Sequence, residues 1–115
     1  MRVAVLALSV IWDVLSACAL IANHRGVARM HTHWWTEKAD DTSHARGVLA
    51  LLLLLLGAMR AAPLMDDSLL FVAVASYMWE LMWVAFGAAA GTMGVRSVVP
   101  STVFCLICLP AVVFL

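Results

Sequence analysis

The sequence predicts an all-α fold: an integral membrane bundle of four transmembrane helices, with the N and C termini on the same side. Three observations carry this. Apolar residues make up 65% of the 115 positions and charged residues 12%, about half the charged share of a soluble domain, which leaves too little polar surface for a water-facing shell. Four apolar runs, at 3–22, 45–64, 68–90 and 95–115, each approach or exceed the roughly 20 residues that cross about 30 Å of hydrocarbon. The links after the second and third runs are short, so successive runs alternate in direction. An even number of crossings returns the chain to its starting side, and the whole reads as a single membrane domain, 1–115, with one polar loop at 23–44.

The first run competes with two leader readings, a secretory signal peptide and a lipoprotein signal, since Leu15-Ser16-Ala17-Cys18 resembles a lipobox. Asp13 in mid-run and a basic region of Arg2 alone favour a retained span. The loop 23–44 holds Arg25, Arg29, the pair Trp34-Trp35 and His24, His31, His33 and His44. Tryptophan and arginine together suit headgroup level, so this segment reads as a surface loop with a short interfacial helix.

The second span centres on the six-leucine run 51–56. That run shows no small or polar face, so it is expected to offer much of its surface to lipid. Arg60 near its far end is placed to snorkel toward the headgroups, and Pro63 is expected to close the helix. The link Met65-Asp66-Asp67-Ser68 makes an antiparallel hairpin with the third span, and Asp66, Asp67 or Ser68 can cap the next helix. Residues 91–94 read as a tight turn. The fourth span carries Pro100 and Pro110, which membrane helices tolerate when neighbours satisfy the freed carbonyls.

The loop face then carries Arg25, Arg29, Lys38, Arg46 and Arg96, and the terminus face Arg2 and Arg60. Five against two places the loop in the cytoplasm, or in a mitochondrial matrix, by the positive-inside tendency. Arg25, Arg29, Trp34, Trp35, Arg46 and Arg96 form a candidate surface for anionic headgroups such as cardiolipin, with a bound phospholipid in place of any cofactor.

Two acids lie inside spans. Counted from the terminus face at helical rise, Asp13 is about 15 Å deep and Glu80 about 18 Å. Intramembrane charges are costly and mark functional or pairing sites. Ser9, Asp13, Ser16 and Ala17 share one side of the first span; Ser76, Glu80, Gly87 and Gly91 share one side of the third. Gly87 to Gly91 is also a GxxxG, a close-approach motif between membrane helices. Both acidic faces should look into protein. The structural reading hydrogen-bonds each acid across the bundle, with Arg60 as candidate counter-ion. The competing readings are a contact to a partner subunit or lipid headgroup, and proton or solute transport through Asp13 and Glu80.

Other constellations say less. The loop histidines with Asp40 and Asp41 match no strong zinc spacing, so no metal site is expected. His24 and His44 flank the first two spans without the depth or facing that two-histidine haem ligation needs. Cys105 and Cys108 form a CxxC by letter, but thiols inside an apolar helix are expected to stay inert. Trp79 with Trp83, and Met78 with Met82, read as packing. No GxSxG, phosphate-binding loop or HExxH occurs, so no enzymatic activity is expected. Zero formal net charge offers no field to nucleic acid.

His44-Ala45-Arg46 opening the second span, Arg60 closing it, and Glu80-Leu81 followed by glycines give an order that resembles the small ergosterol-biosynthesis scaffold family. That family gathers sterol enzymes in the endoplasmic reticulum. The resemblance covers the middle half of the chain, and no function is carried across on it. With a GxxxG face and no catalytic constellation, the chain reads as a non-catalytic accessory subunit of a large membrane complex. A mitochondrial inner-membrane respiratory or ATP synthase assembly is the expected setting, with other membrane subunits as partners. The alternatives are a membrane scaffold tethering lipid- or sterol-metabolising enzymes, and a small proton or solute transporter.

Overall fold

A computed structural model describes residues 1–22, 43–91 and 95–115, with the side chains of 43–46 and 95–97 outside the description. The loop residues Arg25, Arg29, Trp34, Trp35, Lys38, Asp40 and Asp41, with His24, His31 and His33, lie outside the described residues, as do the side chains of His44, Arg46 and Arg96. The described residues are helical, with no strand among them.

Four helices follow in order: α1 (Arg2–Ile21), α2 (Ser43–Met65), α3 (Leu70–Ala89) and α4 (Val95–Phe114). Three segments are long and apolar enough to cross a membrane: Arg2–Ile21, Gly47–Met65 and Asp67–Ala89; α4 has a shorter apolar stretch, Val98–Phe114. Each helix packs on its neighbours in the chain, and α4 closes back on α1, giving a ring with α1 and α3 on one diagonal.

Local chemistry sets the helix ends. Pro63 does not stop α2, which runs two residues further to Met65. A proline ring excludes the helical conformation from the residue before it more strongly than from those after, and neighbouring helices offset the lost donor. Asp66, in extended conformation, then accepts from the Ser68 backbone N–H at 3.0 Å and from the Ser68 hydroxyl at 2.9 Å. This Asx-type cap starts a 3-10 turn, Asp67–Leu69, that feeds directly into α3. At the other end of α3, Gly91 adopts φ +70°, the left-handed conformation that favours glycine after a helix.

The core divides by height. At the end holding both termini, Leu6 of α1, Ala73 and Tyr77 of α3, and Cys105, Cys108 and Val112 of α4 form one cluster. At the loop end, Ala17 and Leu20 of α1 pack on Leu49, Ala50 and Leu53 of α2. Arg2 fastens the first end: its Nε donates to the Val112 carbonyl at 2.7 Å and its Nη2 to that of Val113 at 3.4 Å. Those carbonyls lie in the last turn of α4, where no intrahelical donor remains and a cation suits the helix dipole.

The leucine run of α2 offers much of its surface outward, as expected, through Leu51, Leu54 and Leu55. It is not uniform: Leu49, Ala50, Leu53, Gly57 and Arg60 are buried at three- and four-residue spacing. Hydropathy alone hides this stripe because its inward and outward members are equally apolar. The stripe Met78, Trp79, Met82 and Trp83 does not pack into the core: all four are exposed on the outer face of α3.

Candidate functional site

The ring topology brings Asp13 of α1, Arg60 of α2 and Glu80 of α3 together. Side chains on a helix lean toward its N-terminus. Because α2 runs opposite to α1 and α3, Arg60 leans toward the loop end while both acids lean toward the terminus end, so they meet. Arg60 Nη1 donates to Asp13 Oδ2 at 2.8 Å and Nη2 to Glu80 Oε2 at 3.3 Å. Its Nε donates to Ser76 Oγ at 3.1 Å, and the Ser76 hydroxyl in turn donates to the Ala73 carbonyl at 2.6 Å. One guanidinium therefore ties α1, α2 and α3 together.

The arginine is fully buried, which overturns the expectation that it snorkels to the headgroups. Two acids within reach, at a buried site, hold a guanidinium more strongly than a distant interface does. Arg60 Cζ also lies 4.2 Å from the Tyr77 ring centroid and 5.6 Å from that of Phe104, within cation–π range. Arginine suits the place because its planar fork serves several acceptors and stacks at once.

A second chain of hydrogen bonds runs toward the terminus end. The Tyr77 hydroxyl donates to Ser9 Oγ at 2.7 Å, and Ser9 donates to the Val5 carbonyl at 2.8 Å. Cys108 Sγ lies 3.9 Å from Ser9 Oγ, and Cys105 Sγ contacts Glu80 Oε2. Both thiols are buried and unbridged.

The expected polar sides are thus placed as follows. Ser9, Asp13, Ser16 and Ala17 of α1 are all buried, as are Ser76 and Gly87 of α3, with Glu80 partly so. Gly91 departs from this set. It lies beyond the Ala90 cap, it is exposed, and a Cβ built there meets no atom within 4 Å among the described residues. Its glycine answers to φ, and Gly87 alone of the GxxxG pair lies within α3.

A close approach occurs at Gly57, which sequence reasoning missed. A Cβ there would lie 3.4 Å from Asp13 Cβ and 3.9 Å from Val14 Cγ2. The spacing Ala50, Leu53, Gly57, Arg60 was the available signal: one glycine on the arginine's own face.

A cleft of about 520 Å³ opens beside the cluster, between α1 and α4. Leu8, Ile11, Trp12 and Leu15 line it from successive turns of α1; Pro100, Ser101 and Phe104 line it from α4. Asp13 and Glu80 form part of its wall. Asp13 is 1% exposed and Glu80 16%, so Glu80 is the acid that the cleft can reach. Among the described residues, no group of three or more metal-binding side chains comes together.

Comparison with family models, with curated proteins and with solved structures finds no match.

Proposed function

We propose that the protein is a non-catalytic accessory component of a larger membrane assembly. The observation behind this reading is the Asp13–Arg60–Glu80 cluster. Its three charges engage one another within a single chain, so they serve to join helices. A fold in which α4 crosses as a fourth span, with both termini on one side of the membrane, accords with the Arg2–Val112 clasp. The outward stripe of α3, with Trp79, Met82 and Phe86 exposed, is then the face offered to other membrane subunits. The finer setting we propose is a mitochondrial inner-membrane respiratory or ATP synthase assembly, where small hydrophobic subunits abound. The 23–44 loop would then lie on the matrix side and meet cardiolipin through its arginines and tryptophans. Native-gel mass in mild detergent tests the proposal: co-migration with a large complex is expected, and migration as a lone small species would sink it.

A second reading, a scaffold that tethers lipid- or sterol-metabolising enzymes, draws support from one contact. Arg60 and Glu80, two positions that carry the resemblance to the ergosterol-biosynthesis scaffold family, are hydrogen-bonded to each other. Co-purification with lipid-metabolising enzymes, and not with a respiratory assembly, would favour it. Transport through Asp13 and Glu80 would have to open the Arg60 pairs. Glu80→Gln is expected to impair assembly; loss of proton or solute flux in liposomes with assembly intact would favour transport instead.

A further inference from the structure

We propose that the α1–α4 cleft binds a membrane-soluble amphiphile whose polar end is a small hydrogen-bond donor, a hydroxyl or an amine, presented to Glu80. The cleft's volume of about 520 Å³ falls within the roughly 300–1,000 Å³ of small-molecule sites. Its shape follows from the packing. Near the termini, Leu6 shares one core with Cys108 and Val112, and Arg2 clasps the end of α4. Higher up, α1 turns its apolar side toward α2, and the two walls separate. Leu8, Ile11 and Leu15 stand exposed at the mouth, so a ligand enters laterally from the lipid.

The chemistry of the floor selects the head. Glu80 directs Oε2 to Arg60 and Cys105, and Oε1 carries no hydrogen bond among the described residues. Arg60, the nearest cation among the described residues, is sealed beneath the acids with no exposed surface. As long as one acid is ionised to pair with Arg60, the cluster is neutral or negative. Among the described residues, a carboxylate or phosphate head would meet the acidic acceptors and no accessible cation, whereas a hydroxyl or amine would supply the donor that Oε1 lacks. Ser101 at the cleft wall can donate or accept in addition. Depth sets the size of the head. Glu80 lies ten residues into α3, about 15 Å at helical rise, where a large charged headgroup would lose its hydration. The site is independent of which assembly the bundle joins.

The test uses the full chain in nanodiscs, photolabelled with diazirine-bearing hexadecanol, hexadecylamine or hexadecanoic acid, with labelled peptides mapped by mass spectrometry. Labelling by the alcohol and amine is expected to concentrate on 8–15 and 100–104 and to compete with unlabelled hexadecanol. It should exceed labelling by the acid about tenfold, the ratio that about 1.4 kcal/mol of head-group preference gives. Ile11→Trp fills the mouth without touching the charge cluster and should abolish the concentrated labelling. Even labelling of all exposed faces whatever the head group would overturn the proposal. So would a cleft found cross-linked to another protein helix. Should Ile11→Trp fail to fold, the head-group comparison on the unsubstituted chain still decides.

Discussion

At the end of the bundle that holds both termini, three helices share one core around Tyr77; at the opposite end, α1 and α2 share theirs between them. The first end is closed by hydrogen bonds between helices: Tyr77 to Ser9 on the diagonal, and Arg2 to the last carbonyls of the adjacent α4. The second is closed by small residues, with Ala17, Ala50 and Gly57 letting two helices approach. In lipid, apolar surface gains little by burial against apolar protein, so close packing and polar contacts must hold helices together. Each half uses one of those two means. Arg60 sits at the junction and belongs to both, and the cleft opens where α1 has left α4 for α2.

The contrast can be broken at its joint. Arg60→Met would leave two acids facing each other without a counter-ion, and should destabilise both halves by about 3–5 kcal/mol, the usual cost of removing one partner of a buried ion pair. Unfolding in mixed detergent measures it. Arg60→Lys should recover only part of the loss, because one ammonium cannot serve Asp13, Glu80 and Ser76 together.

A smaller effect separates the halves. Gly57→Leu should push α1 from α2 at a cost of about 1–3 kcal/mol, as overpacking does. Faster hydrogen exchange should appear in the loop-end turns of both helices, with the Arg2–Val112 clasp unaffected. Gly57→Ala places a methyl at the edge of ordinary contact with Asp13 and should change stability little.

Tyr77→Phe should act on the other half alone. Losing the hydroxyl donated to Ser9 is expected to cost about 0.5–1.5 kcal/mol. Exchange should quicken where α3 meets α1 and α4, while α2 keeps its protection. Equal effects on both halves would mean that the two cores act as one unit.

Much of the site could be read before the structure. Asp13 and Glu80 stood out because charge inside an apolar run is rare, and equal depth followed from counting residues. Ser9 and Ser76 followed from helical spacing. Arg60 was legible as a candidate counter-ion, yet its position near a helix end equally suited the interface, and only the opposed lean of antiparallel side chains separates those outcomes. Gly57 went unremarked because a single glycine in a leucine-rich helix carries no pattern of its own. Gly91 has a role that its spacing from Gly87 does not show: its backbone, at φ +70°, serves a helix end.

What the sequence by itself determined is the helical, membrane-spanning class, the helix bounds to within a residue or two, and the presence of two intramembrane acids. All of these depend on composition and on contacts a few residues apart. The tertiary structure alone decided which apolar faces turn inward, that one arginine joins three helices, and that α1 and α4 part to leave a cleft. In lipid, inward and outward faces can be equally apolar, so hydropathy cannot tell them apart. The difference lies in shape and in a few polar partners distant along the chain, and these acquire meaning only when the helices are side by side.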